Sequence, residues 1–346
     1  MKKVSAIINI LFDLLFFSLL LFVISNTEMG TYLVSQAVGQ IKIIFLSEDI
    51  NELKINGKFS AEQLEKLKLI DEIKSYSVEQ LNFKPSNSYT SFYDQKNKSL
   101  IWNVTACDPY AFNAYDWNYP ILGKLSYKGF FDSIKAVKEY SKLKSLGYDV
   151  DVSGVQAWST LGYLDDPIFS EMLKKPKGEL CELIFHELFH GTIYAPGAAE
   201  LNENLAEFVA KNATIRFLKS DNINLTEYIK KMEKEKFINR IMLNGIDTLT
   251  KKYNGINSGE ISTAKAEELK KREMNRILEN LKESKLIKIQ SMEKITKKLS
   301  TSGNAYLMHF KRYNFLEDSL NRVLDERFNG RLDLMILDLK RNISSI

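Results

Sequence analysis

The alternation of apolar and polar residues divides the chain into an apolar start, a mixed middle and a helical second half. From Val4 to Ile24 the residues are mostly Ile, Leu, Phe and Val, interrupted by Asn9 and Asp13. Further on, Ser60 followed by Gln63 reads as a capping box. Behind it Leu64, Leu67, Ile70 and Ile73 recur at helical spacing, which predicts a helix to about Leu81. Pro85 to Ser88 reads as a loop. Aromatic residues, Asn, Asp, Pro and Gly are mixed from Tyr89 to Gly129, where only Leu100 to Val104 carries the signature of a strand. Asp132 to Leu146 predicts a helix with Gly147 as its stop. Tyr148 to Trp158 alternates as a strand, and Asp165-Asp166-Pro167 ends that pattern.

An apolar helix is expected from about Gly178 to Ile193. Pro196-Gly197 breaks it, and a second helix runs from about Ala199 to Leu218. Beyond this nearly everything reads as helix. Leu225 to Lys251 and Ser262 to Leu299 are charged and periodic, and the second is long enough to leave a compact core as one arm of a hairpin. The last helices start near Asn304 and Glu317. The sum is an α+β protein, predominantly α-helical, with a small sheet and long C-terminal helices. Residues 1–25 form an anchor or signal segment. One domain occupies 26–346, with a helical C-terminal region from about 221.

The apolar start is a targeting signal. A central Asp costs roughly 3 kcal/mol on insertion, while each Leu, Ile or Phe returns about 0.3 to 0.6. Sixteen residues between Val4 and Ile24 are Ile, Leu, Phe or Val, so insertion wins. Lys2 and Lys3 stay in the cytoplasm, which places the rest of the chain outside it. A cleaved signal peptide, ending near Val23 and Ser25, is the alternative. No cysteine follows the run, which speaks against a lipoprotein anchor.

Composition adds exclusions. Of 346 residues 45% are hydrophobic and 27% charged, an ordinary globular balance, and a net charge of +4 is too weak and dispersed for a nucleic-acid partner. Cys107 and Cys181 follow no zinc-finger or C-x-x-C spacing. A domain outside the cytoplasm permits them to pair, and the sequence leaves that open.

The chemistry concentrates at His186-Glu187-Leu188-Phe189-His190, an H-E-x-x-H motif on a predicted helix. Residues i and i+4 share a helical face, so both imidazoles reach one ion. Glu187 is offset by about 100° and stands beside the open coordination position as a general base for water. With this composition, chance yields the motif in about two chains per thousand. A zinc site of this kind needs a third protein ligand. No histidine follows at the spacing that would supply one, and His309 lies far downstream. Glu203 and Glu207 share one face of the next helix, and the Pro196-Gly197 turn folds that helix back. Glu203 is the expected ligand, completing one zinc site per chain, and Glu207 a partner for a ligand histidine. Tyr313, Tyr163 and Tyr194 are candidate donors to an oxyanion. Val152 to Thr160 is a candidate edge strand for an extended peptide. Asp165 and Asp166 are candidates for holding a substrate amine, or simply a turn.

Several stretches besides the motif carry a resemblance. They are Tyr32–Ile44 (YLVSQAVGQIKII), Leu100–Val104 (LIWNV), Ser126–Asp132 (SYKGFFD), Trp158–Pro167 (WSTLGYLDDP), Leu183–His190 (LIFHELFH) and Asn202–Val209 (NENLAEFV), with weaker similarity through Asn304–Tyr313. In these the chain resembles the predicted bacterial aminopeptidases, metallopeptidases of the H-E-x-x-H plus Glu type. The resemblance implies a zincin-like fold, zinc held by His186, His190 and Glu203, Glu187 as base, a peptide substrate and a place in the cell envelope. Family members often carry a lipoprotein cysteine, which this chain lacks. Two rival readings are an envelope endopeptidase with the same site, and a membrane-tethered helical binding protein that keeps a structural metal. The intact Glu187 argues against the last, since a structural site needs no base. Oligomeric state is not legible.

Overall fold

The computed structural model describes residues 27–119, 123–155, 165–258 and 261–343. The apolar run from Val4 to Ile24 and Tyr163 lie outside the described residues, as does the end of the expected edge strand. No helix among the described residues is long and apolar enough to cross a membrane.

The chain separates into two compact units, Met1–Ser47 and Glu48–Ile346. The first contributes α1 (Glu28–Leu46), opened by Thr27, whose Oγ1 accepts the Gly30 N–H at 2.9 Å. The second holds everything else. It starts with β1 (Glu48–Asp49), α2 (Ile50–Ile55), α3 (Ala61–Leu81), β2 (Ser91–Tyr93), β3 (Ile101–Cys107), β4 (Trp117–Tyr119), β5 (Gly123–Leu125), β6 (Lys128–Phe130), α4 (Ser133–Ser145), β7 (Asp149–Val155) and β8 (Ile168–Phe169). The helical remainder is α5 (Lys177–Thr192), α6 (Ala199–Phe217), α7 (Asn222–Asn257), α8 (Thr263–Glu283), α9 (Ile289–Ser302), α10 (Asn304–Asn314), α11 (Glu317–Phe328) and α12 (Leu332–Ile343). This is the α+β, predominantly helical class that the pattern predicts.

Among the described residues three small sheets replace the single one expected. β6-β3-β7 is antiparallel throughout, β1-β2-β8 mixes one antiparallel and one parallel pair, and β4-β5 is a two-stranded ribbon. Pairing of Asn103 with Ser153 and of Thr105 with Asp151 puts these four polar residues on one face of the β3-β7 ladder. The opposite face, with Val104 and Val150, is buried and packs on α4. β7 is an edge strand of its sheet, as expected for Val152 onward.

The capping box of α3 forms as the sequence predicts, with Ser60 and Gln63 exchanging bonds of 3.2 and 2.9 Å. Leu67, Ile70 and Ile73 are buried, whereas Leu64 is left exposed. The expected helix from Ser262 to Leu299 is two helices. Lys285 at φ 54° reverses the chain between α8 and α9, and Ser284 Oγ accepts the Leu286 N–H. Neither glycine nor proline marks that break. α8 then packs along α7, and α9 reaches back to β7, so the region folds onto the body of the unit. α12, which the periodicity did not separate, follows a left-handed turn at Asn329 and Gly330.

α5 is the buried axis of the unit. Leu180, Cys181, Ile184, Phe185, Leu188 and Phe189 are all buried along it. Phe185 meets Tyr76 of α3 and Phe217 of α6 edge-on at 6.0 and 5.8 Å, and Phe189 meets Phe83 at 5.9 Å. Each such ring contributes about 1.5 to 3 kcal/mol on burial, so the rotation of α5 about its axis is fixed by its apolar side. Cys107 and Cys181 are both free thiols.

Candidate metal centre

With the apolar side of α5 held, His186, Glu187 and His190 emerge on its other side. α6 meets them because of two asparagines. The Asn202 side chain donates to the Ala195 carbonyl at 2.8 Å and accepts the Ala195 N–H at 2.9 Å, which ties the turn after α5 to the first turn of α6. Gly197, at φ 75°, supplies the left-handed residue that this turn needs. Asn204 donates to the Glu200 and Arg312 carbonyls and accepts the Leu316 N–H, which anchors the same turn to α10. Glu203 stands between two tethered neighbours.

Three ligand atoms converge there. His186 Nε2 and His190 Nε2 are 3.0 Å apart, and Glu203 Oε2 lies 3.4 Å from the first and 3.6 Å from the second. Around a tetrahedral zinc with bonds of about 2.0 to 2.2 Å, neighbouring ligand atoms stand roughly 3.3 to 3.6 Å apart. Both Glu203 distances fall in that range and the two imidazole nitrogens stand slightly closer, so a small shift of the rings would let this donor set hold that ion. Among the described residues this is the group of His, Cys, Asp and Glu side chains able to hold a metal.

Glu207 sits one turn later. Its Oε2 is 3.6 Å from His186 Nδ1, and its Oε1 is 3.0 Å from Lys211 Nζ. It faces the nitrogen of His186 that points away from the centre, as an orienting carboxylate does. His190 has no such partner among the described residues, where its Nδ1 is buried and unbonded. Burial by itself lowers the pKa of His186, but the Glu203 and Glu207 carboxylates reverse this and hold it well above the ordinary value. The histidines in turn keep the Glu203 carboxyl well below the usual range despite its burial. Two carboxylates around two imidazoles make a place for positive charge.

Glu187 lines two cavities. One, of about 190 Å³, is lined also by Ser88, Tyr89, Asp165 and Asp166. Tyr89, at φ 70°, donates its N–H to the Asp166 carbonyl, and Asp166 donates its own to Ser88 Oγ at 3.0 Å. The expected aspartates are thus beside the site, with Asp165 exposed and Asp166 buried. The other cavity, of about 640 Å³, takes in the polar face of the β3-β7 ladder together with Tyr127, His309 and Arg312. His309 lines this cavity and does not join the three converging ligands. Val152 onward contributes Ser153 and Gly154 to the same wall.

Of the three expected oxyanion donors, Tyr163 lies outside the described residues and Tyr313 falls on α10. Tyr194 comes close to a fourth tyrosine, Tyr127, that the sequence reading missed. Burial, with Glu203, Tyr194 and Glu187 adding to it, raises the Tyr127 pKa far above its ordinary value. Tyr127 sits just before β6, and its only signal was its place in the SYKGFFD stretch. Arg312, beside the candidate Tyr313, carries no signal of its own in the chain, since only packing of α10 brings it to this cavity.

A family model described as "Putative aminopeptidase" matches residues 31–336. No curated protein and no solved structure matches the chain.

Proposed function

The chain belongs to this aminopeptidase family, and from that premise we propose that it is a zinc-dependent peptidase removing residues from the N-terminus of peptides. The convergence of His186 Nε2, His190 Nε2 and Glu203 Oε2 carries the proposal. These three residues would hold the ion. When bound, zinc supplies Lewis acidity, lowering the pKa of water towards 7 and polarising a carbonyl.

Glu187, one residue on from His186, takes the proton of the attacking water and returns it to the leaving amine. Glu207 holds the His186 ring in the tautomer that turns Nε2 to the centre. Tyr127 stays protonated and offers its O–H to the developing oxyanion. The smaller cavity, with Asp165 and Asp166, receives the free amine of the substrate, and the β7 edge guides the remaining backbone. The reading extends to location: residues 4–24 anchor the chain in the membrane of a bacterial envelope, with the domain on the periplasmic side.

The test is metal content measured beside activity. The purified chain is expected to hold about one zinc. Glu187→Gln should keep that zinc and fold normally, yet lose hydrolysis by about 10²- to 10⁴-fold. Full activity in Glu187→Gln, or stoichiometric zinc in a His186→Ala/His190→Ala double variant, refutes the assignment. Cleavage of free but not N-acetylated peptides separates an aminopeptidase from an endopeptidase.

A further inference from the structure

The larger cavity holds a cation that the proposed chemistry does not use. Arg312 lines it together with Glu187 and Tyr127, and its side chain is only 5% exposed. Nη2 donates to the Ser126 carbonyl and to Ser126 Oγ, both at 3.1 Å. Among the described residues its buried Nε finds no acceptor, and no carboxylate forms an ion pair with the guanidinium. The nearest aromatic face, Tyr127, lies 5.9 Å from Cζ. Lys298, in the same wall, is already engaged by Asp151 at 2.6 Å, and Asp151 also takes the Ser302 hydroxyl.

An unpaired buried ion costs several kcal/mol, and a buried donor with no acceptor about 1 to 3 more. α10 nevertheless presents Arg312 here, with its carbonyl fixed by Asn204 beside Glu203. A planar guanidinium with an open N–H edge is the side chain best matched to a carboxylate. We infer that Arg312 binds a carboxylate of the peptide in this cavity, which shares Glu187 with the cavity of Asp165 and Asp166.

The inference rests on the peptidase reading for its orientation. The amine end of the substrate lies towards the aspartates, and the leaving segment lies towards Arg312 with its negative charge. Two sources share that chemistry: an acidic side chain in the leaving segment, and the free C-terminus of a short peptide.

Three tripeptides of otherwise identical sequence separate them: a free acid, its C-terminal amide, and the amide with Glu at the second position. Wild type should favour the free acid, the Glu amide or both over the neutral amide by about 10- to 100-fold in kcat/KM, the worth of one charged hydrogen bond. Whichever is favoured identifies the source. In Arg312→Gln the ratio should collapse towards one. Arg312→Lys, which keeps the charge and drops the Nε donor, serves if the first variant does not fold, and its ratio should fall between the two.

No preference in wild type overturns the inference. So does an equal loss on all three peptides at unchanged ratio, which would place Arg312 at the reacting centre. If none of the peptides is hydrolysed, their binding to full-length Glu187→Gln protein is measured by calorimetry. Binding that depends on the carboxylate and on Arg312 sustains the site while the peptidase reading fails. Binding indifferent to both overturns it.

Discussion

Glu203 and Glu207 are neighbours on one helical face, and the distances give them different work. Glu203 Oε2 approaches both Nε2 atoms, whereas Glu207 approaches only the far nitrogen of His186 and shares its charge with Lys211. Losing a ligand removes a bond to the ion, whereas losing an orienting partner costs about 10- to 100-fold in affinity. Zinc affinity by chelator competition should therefore fall further in Glu203→Gln than in Glu207→Gln, and the reverse order would exchange their roles. The histidines were legible in the sequence because both lie on one helix, where i,i+4 spacing is geometry. Glu203 was legible because the turn at Pro196-Gly197 is short. Tyr127 and Arg312 were not, since they reach the site from the turn before β6 and from α10, and only tertiary packing brings those segments to α5.

At the scale of elements, the metal helix depends on how closely its neighbours approach. Gly178, in the first turn of α5, lies against Tyr228 of α7: an added Cβ would stand 2.7, 2.8 and 2.9 Å from Cδ2, Cβ and Cγ of that residue. Two of these atoms are at the root of the tyrosine side chain, which is 2% exposed and has no room to swing aside. Overpacking of this kind costs about 1 to 3 kcal/mol, more than the gain of at most ~1 kcal/mol that Ala offers over Gly in a helix. Gly178→Ala should lower the urea midpoint of unfolding. A midpoint equal to or above that of wild type would mean that the two helices part without cost. Helices were the legible elements, because caps and periodicity are local: Ser60 with Gln63 and Asp132 before α4 both start where the sequence signals. Strands of two or three residues such as β1, β4, β5 and β8 are too short to show a period, and their pairing is set by partners far along the chain.

For the whole molecule, the proposed anchor implies a side of the membrane for the domain. Lys2 and Lys3 precede the run from Val4 to Ile24, whose apolar residues together return about 5 to 10 kcal/mol on insertion, against roughly 3 for Asp13. That balance motivates the proposed anchor, and the lysines set its direction. An oxidising compartment has to be compatible with two free thiols, and their burial makes it so. Cys107 and Cys181 are fully buried, on β3 and α5. Burial pushes the Cys181 thiol up to about 12 and the Cys107 thiol higher still. The thiolate is the reactive form, and burial disfavours it at both positions. The domain can then stand outside the cytoplasm with reduced cysteines in its core. Protease added to intact spheroplasts of cells expressing the full chain should degrade the domain, while a cytoplasmic control protein survives. Protection in intact spheroplasts, with digestion only after lysis, would place the domain on the cytoplasmic side and reverse the orientation inferred from the lysines.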